Sequence, residues 1–442
     1  MTGARPPGPD TPLLDAVLRA ARAPGTRLQT PAHQGRPPWQ AAWPDWAAAD
    51  LTENEATDDL GWPVGPVREA RLALAACFGA KASWFSVGGA TLAQQAAFWA
   101  LAVTLASRGR QPLVAVDRNA HVSVLRGMAL AGLEPVWYGG AWDAAWGVRR
   151  PPDPEDLAAL LAARPEIGAV HLTSPTYFGE DAQTAALRDL AGDRPLLVDE
   201  AHGAHRPRAL SAGADLVVHS AHKGLLGPTQ GGFLHLGGHL ILEADVDRAM
   251  RLLQTTSPSW PLLAALDACR AAFALPRADV PADALWLRGL RCRPGADAMR
   301  CLVAFPDGMA AYEVLVRAGH APEAALPRGV LLLVGGAGDD EAALDELGSL
   351  LRAEALRQES SGLEPVLPPP DPDVPVMGLR EAMLAPAVCV PVAQAVGRIA
   401  VEPLCPYPPG VAVVLPGHRV TESQLAFLAD HDALPEGMQV VA

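Results

Sequence analysis

The hydrophobic rhythm of the chain changes several times between its ends. Leu13 to Ala23 and Val67 to Phe78 repeat apolar residues three and four apart, the spacing of a helix with one buried stripe. Beyond residue 80, short apolar runs take over. Ser83–Val87, Leu113–Val116, Pro135–Tyr138, Ala169–Leu172, Leu196–Val198 and Leu216–Val218 read as strands buried on both faces. Leu92 to Ala106 reads as a helix, and helices fit between several of the strands. This alternation predicts an α/β fold with a mostly parallel sheet wrapped by helices. Gly231 to Leu236 reads as one more strand.

The same pattern divides the chain. Residues 1–50 form an N-terminal segment with a Pro- and Trp-rich stretch, and 51–275 form the large domain. Around 276–300 the sequence turns to Pro, Arg and Gly, which predicts a hinge into a C-terminal domain over 276–442. That domain is expected to hold a strand at Leu331–Val334 and helices at Glu341–Leu356 and Glu422–Ala429. Between them, 361–375 reads as a Pro-rich linker or extended arm.

Half of the residues are hydrophobic, enough for a large core. Thirty-five Lys and Arg against 49 Asp and Glu leave a net charge of −14, which argues against a nucleic-acid or anionic-membrane surface. The six cysteines show no CxxC spacing and read as free thiols of a reducing compartment. The longest apolar stretch, Ala82–Ser107, is interrupted by Gly88-Gly89 and Gln94-Gln95, so it does not read as a membrane span. Met1–Pro12 lacks an apolar signal core. A soluble cytoplasmic protein is the expectation.

Chemistry concentrates where the strands end. Asp199 closes the run from Pro195, and Lys223 follows the run Ala214–His222. In open α/β sheets, ligands collect beyond the carboxyl ends of strands. A carboxylate and a lysine delivered there suit pyridoxal phosphate: the amine forms a Schiff base with the aldehyde, and the carboxylate keeps the pyridine nitrogen protonated. Gly88-Gly89-Ala90-Thr91 falls between a strand and a helix. It reads either as a structural turn or as a phosphate cup of backbone N–H groups. His121, after the strand ending at Val116, is either an ordinary surface or core histidine or a ring covering one face of the pyridine. In Asp199-Glu200-Ala201-His202-Gly203-Ala204-His205, the small Ala201 lets a ring lie against the strand. His202 is placed to reach Asp199 or the cofactor's phenolic oxygen. Ser220 and His222, just before Lys223, offer donors to phosphate. A zinc site built from His205, His219 and His222 is the structural alternative.

With these residues in view, the chain resembles the Orn/Lys/Arg decarboxylases of the aspartate-aminotransferase fold, in the shorter bacterial form without the N-terminal wing domain. The resemblance runs from about residue 28 to 430. It is carried by Thr30-Pro31-Ala32-His33, Asp50–Glu53 with Asp58-Asp59-Leu60, Arg118–His121, Leu172–Tyr177, Val198–His205, Ser220–Lys223, Thr229-Gln230, Thr256–Ser259 and Gly397–Gly410. It implies a type I pyridoxal-phosphate fold with a mostly parallel, seven-stranded-type sheet and a smaller α+β C-terminal domain. Residue by residue, it implies that Lys223 holds the cofactor and Asp199 pairs with the pyridine nitrogen. His121 would stack on the ring, with Ala201 on the opposite face. Gly89, Ala90, Thr91, Ser220 and His222 would serve phosphate or substrate. Ser257 would reach the phosphate of a neighbouring subunit, implying a homodimer or larger homo-oligomer. Tyr407 and Arg398 would border the site, although Arg398 also has Glu402 one helical turn on as a partner.

Several positions depart from the family pattern. Its N-terminal Gly-His-Lys is Ala32-His33-Gln34 here, and its hydroxyl-rich phosphate loop keeps only Thr91, beside Ala90 and Leu92. After the lysine, a Thr-Leu and a serine pair become Gly224-Leu225 and Gly231-Gly232, and the late acidic residue is His418. The activity implied is decarboxylation of lysine, arginine or ornithine to an amine and carbon dioxide, with roles in amino acid and polyamine metabolism. Another pyridoxal reaction, transamination or a lyase step, and a degenerate non-catalytic protein are the alternatives.

Overall fold

The computed structural model describes residues 10–23, 36, 40–273, 289–293, 297, 299–334, 341–358, 365–406 and 409–442. Helices α1 (Pro12–Arg22), α2 (Pro44–Ala49) and α3 (Pro66–Phe78) precede β1 (Ala82–Ser86) and α4 (Gly89–Ser107). Next come β2 (Leu113–Asp117), α5 (Val122–Ala131), β3 (Glu134–Tyr138) and a ribbon of β4 (Trp142–Asp143) and β5 (Val148–Arg149). They are followed by α6 (Pro154–Ala163), β6 (Ala169–Thr173), α7 (Thr184–Ala191), β7 (Leu196–Asp199), β8 (Leu216–Ser220) and α8 (Ala221–Gly224). Strand β9 (Gly232–Leu236) and helices α9 (Glu243–Leu253) and α10 (Trp260–Phe273) complete this stretch. The remainder holds β10 (Arg300–Ala304), α11 (Gly308–Arg317), β11 (Ala324–Leu326), β12 (Gly329–Leu333), α12 (Glu341–Gln358), α13 (Leu379–Leu384), β13 (Ala387–Pro391), α14 (Glu422–Asp430) and β14 (Gly437–Val441).

Seven strands form one sheet in the order β1-β9-β8-β7-β6-β2-β3. β2 with β3 and β7 with β8 run parallel, while β9 is antiparallel to both β1 and β8. The alternation of runs and helices predicts the parallel part. β9 departs because only the single turn of α8 and a short loop separate it from β8. A connection that short cannot make the crossover a parallel strand needs.

The chain divides into two compact units. The first comprises Met1–Pro112, Gly168–Val170 and Ala191–Arg277, and the second Leu113–Ile167, His171–Leu190 and Ala278–Ala442. In the first, Leu13 and Val17 of α1, Leu74 and Phe78 of α3, Phe85 of β1, Phe233 of β9 and Trp260 of α10 share one core. Helix α1 begins on Pro12, whose missing N–H costs nothing at that position, and buries the stripe Leu13, Ala16, Val17. Its first N–H groups, on Leu13 and Leu14, donate to Asp267 Oδ2 of α10 at 3.1 and 3.3 Å. Asp267 is fully buried, and burial pushes its carboxyl up from the ordinary range, against the pull of Arg270 at 2.8 Å.

In the second unit, β10, β12 and β11 form an antiparallel sheet that buries Val303, Val330 and Leu332 with Ala311 and Leu315 of α11 and Leu351 of α12. β13 and β14 pair beside α14, around Val414, Leu428 and Val440. Residues 365–375 hold neither helix nor strand. The segment Thr30–Gln34, Tyr407, most of the expected hinge and residues 361–364 lie outside the described residues.

Candidate active site

The first unit assembles its chemistry at the carboxyl ends of β7 and β8. Their register sets Asp199 beside Val218, and Glu200 N continues the ladder to Val218 O at 3.0 Å. Both strands therefore release the chain at one edge, β7 into Asp199-Glu200 and β8 into α8, which holds Lys223. Asp199 is buried, and its Oδ1 accepts the Ala201 N–H at 3.1 Å, which fixes the carboxylate at the strand end. Lys223 Nζ lies 3.1 Å from His202 Nε2. His202 Nε2 thus has the lysine amine within hydrogen-bond reach, a contact the sequence did not predict. Ser220 Oγ stands 3.1 Å from Nδ1 of His222, an exposed residue.

The expected phosphate cup needs one correction. Gly89, Ala90 and Thr91 do not form a turn ahead of a helix starting at Leu92; they are the first turn of α4 itself, with Gly88 as N-cap. Gly88 offers no capping side chain, so the first N–H groups are left without a side-chain acceptor from the cap. First-turn N–H groups lack intrahelical acceptors, and the helix dipole favours an anion at that end. The turn is seated on β9. Gly232 pairs across the ladder with Ser86 on one side and Ser220 on the other. A Cβ on Gly232 would lie 2.7 Å from Ala90 N and from Gly89 C, inside any real contact distance. Ser86 Oγ also donates to Gly89 O at 2.7 Å, and Gln254 Oε1 accepts Val87 N at 3.1 Å. Two residues in the loop after Lys223, Leu226 and Gln230, hold left-handed backbones at φ 58° and 71°, strain of a kind concentrated at functional sites. The altered glycines thus have a local reason: Gly232 lets strand and cup touch. Gly224 leaves room for His205, whose Nδ1 would lie 2.5 Å from a Cβ there.

Behind Asp199 runs a buried polar relay that sequence reasoning missed. Glu200 Oε2 is 2.8 Å from His219 Nε2, His219 Nδ1 is 3.1 Å from His235 Nε2, and His235 Nδ1 is 2.7 Å from Ser83 Oγ. The carboxylate accepts only, so His219 donates to Glu200; with His235 held neutral, the chain can run from Ser83 to His235, from His235 to His219 and from His219 to Glu200. Burial first, and the neighbouring His219 second, hold His235 well below the ordinary histidine range. Glu200 Oε1 accepts the N–H groups of Arg208 and Ala209 at 2.8 and 3.0 Å, anchoring the loop after Asp199. The available signal was a histidine inside each of two apolar runs; only the antiparallel register brings the two together. His219 spends both ring nitrogens here rather than on a metal. Among the described residues, no group of three metal-ligating side chains is arranged to hold an ion.

His121 belongs to the second unit, as N-cap of α5. Its Nδ1 accepts the Ser123 N–H at 3.2 Å and sits 2.9 Å from Ser123 Oγ, so one ring nitrogen is pinned by the helix start. The loop before it hangs on Asp117, also missed because the run was read to end at Val116. Fully buried, Asp117 accepts Asn119 N at 2.8 Å and Thr173 N at 2.7 Å. Arg398 lies in no helix, so Glu402 is not one turn away; its Nη2 donates to Val441 O at 2.8 Å. His418, where an acidic residue was expected, is buried and bonds Asp373 O through Nδ1 at 2.6 Å. Ser257 sits exposed on the loop between α9 and α10, its N–H on Thr255 Oγ1 at 3.1 Å.

The donor set in the first unit fits pyridoxal phosphate: an amine on a half-buried lysine, a buried carboxylate on the neighbouring strand end, and a helix N-terminus seated on β9, the strand next to β8. The fold is that of the type I pyridoxal-phosphate-dependent enzymes. The chain belongs to the Orn/Lys/Arg decarboxylase family. It matches the family's major domain over residues 11–277 and its C-terminal domain over 375–435, and its cofactor is pyridoxal phosphate. An arginine decarboxylase of Halalkalibacterium halodurans is 28% identical over 96% of this chain and 93% of the relative. The uncharacterized protein YaaO of Bacillus subtilis is 28% identical over 95% of this chain and 94% of its own length. Among solved structures, the lysine decarboxylase LdcF of Francisella novicida superposes with a TM-score of 0.78 at 16% identity, covering 98% of this chain and 81% of that one.

Proposed function

We propose that the protein removes the α-carboxylate of a basic amino acid as carbon dioxide, and that arginine is its substrate. The observation that carries this reading is the pairing, at adjacent strand ends, of a buried Asp199 with a Lys223 amine 3.1 Å from His202. Full-length similarity to proteins named as arginine decarboxylases supports the choice among arginine, lysine and ornithine. Bound pyridoxal phosphate supplies an acceptor for the electron pair left at Cα when the carboxylate departs.

The chain's own residues do the rest. Lys223 would hold the cofactor through Nζ. His202 Nε2, within hydrogen-bond reach, takes a proton from Nζ and returns it. Asp199 presents negative charge to the pyridine nitrogen, and its bond to Ala201 N keeps that carboxylate aimed. The first turn of α4, from Gly89 to Thr91, receives the phosphate, with Ser220 and His222 as further donors. Ala201 and His121, the latter oriented by Ser123, would flank the cofactor ring. Lys223 or His222 returns a proton to Cα. Ser257 reaches the phosphate of a second copy, so the working form is a homodimer.

Two variants test these assignments. Lys223→Ala is expected to abolish the visible absorbance of lysine-bound pyridoxal phosphate; an unchanged band would assign the cofactor to another lysine. Asp199→Ala is expected to keep that band and lose at least about 100-fold in turnover, within the range for removing a key electrostatic group. Near-normal turnover would remove the role given to Asp199.

A further inference from the structure

The second unit contains a cavity of about 890 Å³, open mouth included, that the reading above does not use. Its walls are largely apolar: Trp142, Phe178 and Phe427 supply flat rings, and Pro369 of the Pro-rich arm lies along one side. Two guanidinium groups, of Arg118 and Arg149, line the same space. Gly140 lets them share it, since a Cβ there would lie 2.8 Å from Arg149 Cδ and 3.0 Å from Arg118 Cβ.

The carboxylates near these two cations leave a guanidinium donor of Arg118 unspent. The Arg118 side chain is only 10% exposed, and its ion-pair partner, Asp371 at 3.5 Å, is 87% exposed. Its Nε is buried with no partner among the described residues. Arg149 donates Nη1 to Gly140 O at 2.7 Å, a neutral acceptor. Asp117, the other nearby carboxylate, already accepts two backbone N–H groups. Burial first, and the charge of Arg149 second, lower Arg118 to about 10, and burial lowers Arg149 as well. The aromatic faces compensate in part, with Trp137 5.3 Å from Arg118 and Trp142 6.0 Å from Arg149. Two half-buried guanidiniums thus share an aromatic-walled space with Asp117 and Asp371, and the Arg118 Nε–H donor is left without a partner among the described residues.

We propose that this cavity binds a small organic carboxylate carried on a flat apolar body. Guanidinium forks match carboxylate geometry, and planar rings pack on the aromatic walls. Nothing in this inference depends on the substrate or reaction proposed above.

The test is calorimetric titration of the holoenzyme with 2-naphthoate, and with uncharged 2-naphthylmethanol as control. Expected is one saturable site per chain for the acid, with the alcohol weaker by about tenfold or more, the loss of roughly one charge-assisted bond. Arg118→Met and Arg149→Met should each weaken the acid by about tenfold or more on the same grounds. Ala325→Trp, which fills the cavity and leaves both arginines, should abolish binding, so the conclusion does not hang on the folding of an arginine variant. Binding should persist in Lys223→Ala, and in the unmodified holoenzyme it should leave the cofactor's visible band unchanged. No saturable binding at millimolar acid, equal binding of acid and alcohol, indifference to both arginine variants, or loss of binding in Lys223→Ala would each overturn the proposal.

Discussion

Gly232 shows how much of the site rests on a missing side chain. With a Cβ 2.7 Å from backbone atoms of the cup, Gly232→Ser must push α4 off the strand. We expect a loss of about 1–3 kcal/mol in stability, typical of overpacking, together with weaker cofactor retention, read by denaturant midpoint and by visible absorbance after dialysis. An unchanged midpoint and band would show that the cup does not need this glycine. The relay behind Asp199 makes a second prediction. His235 is neutral in the fold, its affinity for a proton depressed well below that of the unfolded chain. Its contribution is therefore present above the unfolded value near 6.5 and is lost as pH falls below it, by about 1.4 kcal/mol per pH unit. His418 is shifted the same way by burial. Stability should thus fall between about pH 6.5 and 5.5, and His235→Gln should flatten that fall; identical slopes in both proteins would rule the relay out as its source. Asp199, Lys223, His202 and the cup were all nameable from the chain alone, because each closes an apolar run or sits at a run boundary. The relay was not: His219 and His235 meet through strand register, which no local pattern carries.

At the scale of elements, what the sequence makes legible is period, and what it hides is direction and docking. The apolar spacing of Leu13–Ala23 and Val67–Phe78 predicts α1 and α3 to within a residue or so, since each must bury one stripe. Strands β1 to β3 and β6 to β8 are likewise found where apolar runs predict them. The start of α4 was misplaced because glycines read as a turn, whereas Gly88 here caps the helix. The reversal of β9 depends on loop length rather than on the strand's own residues. The seating of α1 depends on a side chain more than 250 residues away, Asp267, whose Oδ2 takes two of the helix's first N–H groups. Asp267→Ala would leave those donors and the buried Arg270 guanidinium without their carboxylate. We expect a cost of about 3–5 kcal/mol, as for breaking a buried pair on one side, measured by denaturant unfolding. A loss below about 1 kcal/mol, the range of an exposed pair, would mean that water replaces the carboxylate there.

For the whole molecule, the two family matches cover most of the chain, and the fold is that of the type I pyridoxal-phosphate enzymes. Among the described residues no helix is long and apolar enough to cross a membrane. The net charge of −14 favours cationic over anionic ligands at long range, an effect that salt screens. It sets the guanidinium-lined cavity of the second unit apart from the general character of the surface. The central claim is the chemistry at Lys223. Its most direct test is carbon dioxide release by the purified protein loaded with pyridoxal phosphate and given arginine, lysine and ornithine in separate reactions. Gas and the corresponding amine are expected from arginine, well above the other two, and none from Lys223→Ala. A visible cofactor band with no gas from any of the three would contradict it and point to another pyridoxal reaction, and failure to take up the cofactor at all would leave a non-catalytic member of the family.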